Sequence, residues 1–187
     1  MVTLEKKINE ISLLSPEVMK VFLEAWEHRT LPKDHVLLRE HQVCDYIFFI
    51  KKGIARIYYY KNEKEITEWF ATDETFFLSI ISFFERTPSR LIIKLPEPSE
   101  VWGIHYNSLT QLAGRYHEVE TLFRKMLTVS LILSQYRMDA IQFETAQQRY
   151  TKLVTDSPEI IKRIPLSHIA SFLGITMETL SRIRAGK

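Results

Sequence analysis

The sequence predicts an α+β protein with an N-terminal antiparallel β-roll of jelly-roll type flanked by helices, one long helix, and a C-terminal helix-turn-helix. This prediction rests on the order of the patterns along the 187 residues. Short β-rich runs separated by turns fill the middle of the chain, and an unbroken helical periodicity follows them. Near the end, a small residue and a glycine interrupt an apolar pattern in the way that a tight turn between two helices requires.

The composition is that of an ordinary globular chain, with 45% hydrophobic and 26% charged residues and a net charge of only +2. The single cysteine, Cys44, excludes an intrachain disulfide and any cluster that needs several thiolates. We therefore expect a cytoplasmic protein. The first thirty residues lack the pattern of a signal peptide, and no uncharged run is long enough to span a bilayer, so no membrane partner is expected.

The first thirty residues are predicted to be helical. In "SPEVMKVFLEAWEH", Ser15 suits the N-cap, Pro16 the first helical position and Glu17 the positive end of the helix dipole. Apolar residues recur at helical spacing in the same segment, at Val18, Val21, Phe22 and Trp26. These signals place a helix shortly before the β-rich region.

Residues 31–104 are predicted to form strands. "DYIFFIKKGIARIYYY" contains two β-rich runs around residues 51–53, Lys-Lys-Gly, which we interpret as a hairpin turn. "EITEWFA" alternates after a turn at residues 62–64, and "RLIIKL" and "EVWGIH" each predict a further strand. Short strands in series with tight turns predict an antiparallel roll or barrel.

A single apolar seam runs along the segment that follows the strands. Its members alternate spacings of three and four over more than three heptads, at Val119, Leu122, Met126, Val129, Leu133, Tyr136, Ala140 and Phe143. A helix of this length extends about 40 Å, which is more than a small domain covers, so we predict a parallel homodimer through this helix. Packing of the seam on its own domain is the alternative.

The segment "HIASFLGITMETLSRIRAGK" predicts two short helices joined by a tight turn. The small side chain of Ala170 lets the two helices approach closely where they cross. Gly174 adopts the positive φ of the turn without a Cβ penalty. Thr176 is a suitable N-cap for the second helix. Apolar residues fill the wedge between the helices, at Ile169, Leu173, Ile175, Leu180 and Ile183.

The second of these helices carries side chains suited to reading DNA in the major groove. Glu178 can accept a hydrogen bond from cytosine N4, and Arg182 can bridge guanine O6 and N7. The predicted DNA-binding residues are Ser167, His168, Thr176, Met177, Glu178, Thr179, Ser181, Arg182 and Arg184. From residue 162 onward, one acid, Glu178, stands against the basic residues Lys162, Arg163, Arg182, Arg184 and Lys187. A helical hairpin with a solvated basic rim is the alternative interpretation.

The stretch "IPLSHIASFLGITMETLSRIR" resembles the DNA-binding segment of the Crp/Fnr transcription regulators. The resemblance extends over nearly the whole chain, because residues 47–56, which include Gly53, are similar to a characteristic phrase of that family's cyclic-nucleotide-binding-like β-roll. It implies a sensor β-roll at residues 1–115, a dimerisation helix at 116–144 and a DNA-binding domain at 145–187.

The resemblance also implies a function, that of a homodimer that binds pseudo-palindromic double-stranded DNA and has RNA polymerase as a further partner. By analogy, Glu178 and Arg182 occupy base-reading positions. Met177 stands where an arginine is common, so a different operator sequence is expected. The family's β-hairpin wing has no counterpart after the second helix, so we expect a winged-helix-like fold that has lost the wing.

The nucleotide pocket of that family uses a Gly-Glu pair for the ribose and an Arg-Ser/Thr pair for the cyclic phosphate. Counting back from Glu100 places these pairs at residues 77–78, Phe-Leu, and 88–89, Pro-Ser, so only the serine is kept. A buried phosphate without its arginine loses a charge-assisted contact, and we expect no response to cAMP or cGMP. A degenerate ligand pocket would comprise Phe77, Leu78, Ser79, Ser89 and Arg90, with its effector unknown. No cofactor is predicted.

An enzyme on a cupin-like barrel is the competing function from another class. It would need a closely spaced His-x-His pair and a glutamate as metal ligands, and no His-x-His occurs in the chain. Walker A, Gly-x-Ser-x-Gly and His-Glu-x-x-His motifs are also absent, so no enzymatic activity is expected. A module that senses a ligand or a partner through the β-roll without binding DNA remains an alternative.

Overall fold

The computed structural model describes residues 1–186, so Lys187 of the predicted basic set lies outside the described residues. Two helices open the chain, α1 at Val2–Ile11 and α2 at Pro16–Glu24. The start of α2 is as predicted, because Ser15 precedes it in an extended conformation and proline takes the first helical position.

The helical prediction is wrong beyond the end of α2, because Trp26 begins a strand. Its backbone pairs with Ile104, and its ring lies between Phe22 and Phe76, with centroid distances of 6.0 and 5.9 Å. Burial of a large ring among partners from distant parts of the chain therefore outweighs the local helical spacing.

Eight strands and a short helix, α3 at Ile80–Glu85, form the β-roll within the described residues. The strands are β1 at Trp26–Leu31, β2 at Val36–Leu38, β3 at Tyr46–Lys52, β4 at Ala55–Lys61, β5 at Lys64–Ala71, β6 at Thr75–Phe77, β7 at Ile92–Lys94 and β8 at Ser99–His105. They make two four-stranded antiparallel sheets, ordered β1-β8-β3-β6 and β2-β7-β4-β5. The predicted antiparallel roll is confirmed.

The predicted hairpin at residues 51–53 is wrong, because β3 and β4 lie in different sheets. Gly53 instead carries the chain from one sheet to the other with a φ of 125°, and a Cβ there would come within 2.1 Å of Ser99 Oγ. The hairpin that does form joins β4 to β5. Asn62 and Glu63 have φ values of 49° and 62° in that turn, as a two-residue turn with left-handed residues requires.

The long helix is confirmed as α5 at His117–Phe143, which follows α4 at Tyr106–Arg115. Its seam divides into two parts. Val119 and Leu122 are fully buried against the β-roll core, whereas the later seam residues are 44–79% exposed, at Val129, Leu133, Tyr136 and Phe143. The first part therefore packs on its own domain, and the second part is left largely exposed.

Four helices complete the described residues: α6 at Ala146–Asp156, α7 at Pro158–Arg163, α8 at Leu166–Leu173 and α9 at Met177–Arg184. Their buried side chains share one apolar cluster with Ile54 and Phe70 of the β-roll. The C-terminal helices are thus packed directly on the sheet that contains β5. Within residues 1–186, no helix combines the length and the apolar character needed to cross a membrane.

Candidate nucleic-acid interface and ligand cavity

The turn between α8 and α9 has the geometry that the sequence predicts. Gly174 is left-handed, with φ 69° and ψ 32°, and the N–H of Ile175 donates to the carbonyl of Ala170 at 3.0 Å. A Cβ at residue 174 would meet nothing within 4 Å, so the backbone angle and not crowding requires glycine. Ala170 is buried where the helices meet.

Helix α9 presents its predicted base-reading residues on one exposed face. Thr176 caps the helix by accepting a hydrogen bond from the N–H of Thr179 at 3.2 Å. A hydrogen bond with Thr176 and the first-turn amide lower the pKa of Glu178, so its carboxylate is ionised and accepts hydrogen bonds. The exposed side chains on this helix include Met177, Glu178, Ser181, Arg182 and Arg184, while Leu180 is buried.

The structure separates the two residues of α8 that were predicted to bind DNA. Ser167 is exposed, whereas His168 faces the β-roll, with its Nε2 at 3.1 Å from Arg56 Nη1 and 3.9 Å from Glu65 Oε2. Burial, and then the nearby charge of Arg56, lower the pKa of His168, so the ring is neutral at pH 7. No sequence pattern indicated this contact, because the partners are 112 residues apart.

The side chain of Ser171 on α8 forms hydrogen bonds with the backbone of the edge strand β5. Its Oγ accepts a hydrogen bond from the N–H of Thr67 at 2.8 Å and donates to the carbonyl of Glu65 at 3.0 Å. Beside it, buried Arg56 donates to Thr67 Oγ1 at 2.9 Å and to the Glu65 carboxylate. We call this set of residues, Arg56, Glu65, Thr67, His168 and Ser171, the β5–α8 joint.

Arg163 does not contribute a free charge to the predicted basic set. Its guanidinium donates to Asp73 Oδ2 at 2.8 Å and to the Glu97 carboxylate, both of which belong to the β-roll. Asp73 also accepts a hydrogen bond from the N–H of Gly53. The neighbouring Lys162 is exposed, so the adjacent basic residues have different roles.

A cavity of about 760 Å³ lies between the β-roll, α5 and the end of α8. All members of the predicted degenerate pocket line it, namely Phe77, Leu78, Ser79, Ser89 and Arg90. The far wall is made by α5 and α8, through residues such as Leu133, Arg137 and Phe172. One cavity therefore contacts the β-roll, the long helix α5 and the end of α8.

The two serine hydroxyls of the predicted degenerate pocket are already engaged. Ser79 Oγ lies 2.9 Å from Ser89 Oγ, which also donates to the carbonyl of Leu91 at 3.0 Å and accepts from its N–H. Ser89 is thus held in a closed set of hydrogen bonds within the protein. A phosphate at this position would have to break that set.

The described residues contain neither a cluster of metal ligands nor an exposed thiol. Among residues 1–186, no group of three or more His, Cys, Asp or Glu side chains is placed to hold a metal ion. Cys44 is 1% exposed, and burial raises the pKa of its thiol.

A family model described as "Cyclic nucleotide-binding domain" matches residues 28–116. The matched segment covers most of the β-roll, from within β1 to beyond the end of β8. Within the matched segment, the positions that the resemblance assigns to the nucleotide's own contacts are Phe77, Leu78 and Pro88, together with the engaged Ser89.

Solved structures with the same fold extend the match to the helices. FixK2 from Bradyrhizobium japonicum is 20% identical, covers 86% of this chain and 83% of its own, and has a TM-score of 0.71. A protein from Eubacterium rectale assigned to the Crp/Fnr transcriptional regulators is 16% identical, with coverages of 91% and 82% and a TM-score of 0.71. The catabolite activator protein of Thermus thermophilus is 17% identical, with coverages of 92% and 83% and a TM-score of 0.58. Because all three sequences are at most 20% identical to this chain, the likeness shows a shared fold and nothing further. No curated protein matches the sequence.

Proposed function

We propose that the protein is a sequence-specific DNA-binding transcription regulator of the Crp/Fnr type. The observation that carries this proposal is the exposed face of α9, where Glu178, Ser181 and Arg182 project together from a helix held out by the turn at Gly174. Arg182 would bridge O6 and N7 of a guanine, and Glu178 would accept from N4 of a cytosine. Such a protein works in the cytoplasm with RNA polymerase as its partner.

Phosphate contacts would come from residues that flank this face. Ser167, Thr176, Thr179 and Arg184 lie on the α8–α9 unit without any bond to the β-roll among the described residues. His168 would join them only after α8 leaves β5, because its ring now faces Arg56.

The homodimer forms through the exposed part of the seam on α5. Val129, Tyr136 and Phe143 are 50%, 62% and 79% exposed, which is costly for apolar side chains in a single chain and is relieved when two copies pair. Two-fold symmetry then places the two α9 helices in successive major grooves about 34 Å apart. A pseudo-palindromic operator is the expected target.

Cyclic nucleotides are not the signal in this proposal. Phe77 places a ring where the ribose would need close backbone approach, and Ser89 is held by Ser79 and Leu91. No arginine stands at residue 88 to pair with a cyclic phosphate, since that position is proline.

The test begins by sequencing genomic DNA that co-purifies with the protein, which yields the operator. Binding of that DNA is then measured by fluorescence anisotropy for the wild type, for Arg182→Ala, and for Arg115→Ala, an exposed arginine on α4 that serves as the control. Arg182→Ala is expected to weaken binding by about 1–3 kcal/mol, roughly 5- to 150-fold, and to relax specificity at one base pair. The control should bind like the wild type.

Two outcomes would contradict the proposal in different ways. A wild-type protein that shows no preference for any DNA would leave the ligand-sensing module as the function. Unchanged affinity of Arg182→Ala for a genuine operator would mean that the reading face has been assigned to the wrong side of α9.

A further inference from the structure

The cavity has walls unlike those of a nucleotide site. Most of the residues that line it are aliphatic or aromatic, and three different elements contribute rings, with Trp69 on β5, Phe76 on β6 and Phe172 on α8. A volume of about 760 Å³ lies within the range of pockets that hold small organic ligands. The walls therefore suit an apolar body and not a ribose.

The charged side chains in the cavity leave an excess of positive charge. Its lining contains one acid, Glu68, and the two arginines Arg90 and Arg137. Among the described residues, none of the three lies within 4 Å of an opposite charge, although both arginines act on Glu68 from a longer distance. A ligand with a single negative charge would balance this set.

Arg137 has donors available for such an anion. Its guanidinium lies over the ring of Phe172, at 3.9 Å from the centroid, and one nitrogen donates to the carbonyl of the same residue. A guanidinium carries five N–H groups, so this contact leaves others available. Burial, and then the nearby Arg149, lower the pKa of Arg137 to about 10, and no carboxylate within 4 Å balances its charge among the described residues.

Hydroxyls on α5 add further donors on the same wall. Ser130 and Ser134 line the cavity one helical turn apart, and no side-chain hydrogen bond engages either one within residues 1–186. They differ in this respect from Ser79 and Ser89, which bond to each other.

We propose that this cavity binds an amphipathic organic monoanion, a carboxylate attached to an apolar aryl or medium-chain acyl body. The carboxylate faces Arg90 and Arg137, with Ser130 and Ser134 as additional donors, and the body lies against Trp69 and neighbouring rings. This ligand class differs from the cyclic nucleotides that name the domain family.

The same ligand would act on the helix-turn-helix, and this second step rests on the proposed DNA-binding function. Phe172, Leu173 and Gly174 line the cavity at the end of α8, directly before the recognition helix. Arg137 also holds the carbonyl of Phe172, so a carboxylate that binds its remaining donors and shifts its guanidinium changes how α8 rests on β5. Binding in the cavity itself needs no DNA.

Tryptophan fluorescence tests the binding step with DNA-free protein. Trp69 lines the cavity, whereas Trp26 and Trp102 are buried, do not line it and should respond less. Titrations use decanoate and 4-phenylbutyrate as probes, 4-phenylbutyramide as the uncharged match, and cAMP. Both acids or one of them should saturate the signal, the amide should bind at least about tenfold more weakly, and cAMP should give no change. The stronger acid identifies the acyl or aryl body.

Variants decide whether the arginines hold the carboxylate. Arg90→Gln and Arg137→Gln should each weaken the acid about tenfold while leaving the amide unchanged, and Arg115→Gln should change neither. Arg90 is exposed and makes no hydrogen bond among the described residues, so its variant should fold even if Arg137→Gln does not. Trp69→Phe should abolish the signal but preserve binding in calorimetry.

Equal affinity for acid and amide, tighter binding of cAMP than of either acid, or no saturable binding of any probe would overturn the ligand assignment. Carboxylate binding by a protein that has no DNA preference would support the cavity and refute the proposed regulator. Operator binding by a protein that binds none of the probes would support the proposed regulator and refute the ligand assignment.

Discussion

Gly53 and Gly174 both have a positive φ, yet the surroundings make them unequal. A side chain at residue 53 would collide with Ser99, whereas one at residue 174 would enter open space. Glycine is therefore needed for the backbone angle at both positions and for room at only one of them. Sequence patterns alone treat the two as equivalent turn residues.

This difference predicts unequal effects of alanine. Gly174→Ala should cost about 1–2 kcal/mol, because it forces a Cβ into the left-handed region. Gly53→Ala should cost clearly more, because steric overlap with Ser99 adds to the same strain. Urea unfolding followed by circular dichroism measures both. Equal shifts of the unfolding midpoint would mean that the roll relaxes around residue 53 without cost.

His168 makes the β5–α8 joint sensitive to pH. Its ring faces Arg56 on β4, Glu65 on β5 and, at a longer distance, Lys94 on β7, and the pKa of the imidazole is lowered first by burial and then by Arg56. A histidine with a lowered pKa in the folded state favours the neutral form, so its stabilising effect is present above the ordinary pKa of about 6.5 and is lost as the pH falls below it.

We therefore expect the protein to lose stability as the pH falls below about 6.5, and His168→Gln to lose less over the same interval. Thermal unfolding at a series of pH values measures this, with His117→Gln as the control because that histidine is 91% exposed. An identical pH dependence of the wild type and His168→Gln would contradict the assignment.

At the scale of elements, α5 serves two kinds of packing along one seam. Its first turns pack on the β-roll through Val119 and Leu122, and its later turns expose Val129 and Tyr136. The continuous periodicity predicted the helix correctly, but periodicity cannot say where the partner of an apolar face changes.

The proposed dimer predicts that a charge on the later seam will separate the subunits. Val129→Glu should raise the dissociation constant at least about tenfold, because it would bury a carboxylate between two helices. Leu131→Glu is the matched control, since Leu131 is 70% exposed and lies off the seam. Sedimentation equilibrium reports both. A wild-type monomer at micromolar concentration, or equal effects of the two variants, would refute this interface.

At the scale of the whole molecule, two groups of polar contacts among the described residues bind the C-terminal helices to the β-roll, in addition to the shared apolar cluster. One is the β5–α8 joint, and the other joins Arg163 to Asp73 and Glu97. The joint is imperfect, because Arg56 Nη2 and His168 Nδ1 are buried without a hydrogen-bond partner among the described residues. Buried polar groups without a partner lower the stability of the contact between α8 and β5. A ligand could therefore separate these two elements at a lower cost in free energy.

Adjacent basic residues on α7 should therefore respond differently to substitution. Lys162→Ala should reduce the salt dependence of operator binding by about one unit of slope, because an exposed cation contacts phosphate. Arg163→Ala should leave that slope unchanged and instead speed hydrogen exchange in α7 and α8, because its charge is paired within the protein. If both variants kept the salt-dependence slope of the wild type, neither residue would approach the DNA.

The sequence by itself determined the features that depend on neighbours a few residues away. These are the start of α2 at Ser15, the turns at residues 62–64 and at Gly174, and the helix α5, each set by local sterics, caps and periodicity. Such signals act over one or two turns of chain, so they can be recognised without the fold.

Only the tertiary structure decided which distant segments meet. It separated β3 from β4, drew Trp26 into a strand, turned His168 and Arg163 toward the roll, and enclosed a cavity between elements far apart in the chain. Each of these outcomes depends on burial and charge pairing between segments far apart in the chain, such as Arg56 and His168, which are 112 residues apart, and no local pattern contains that information.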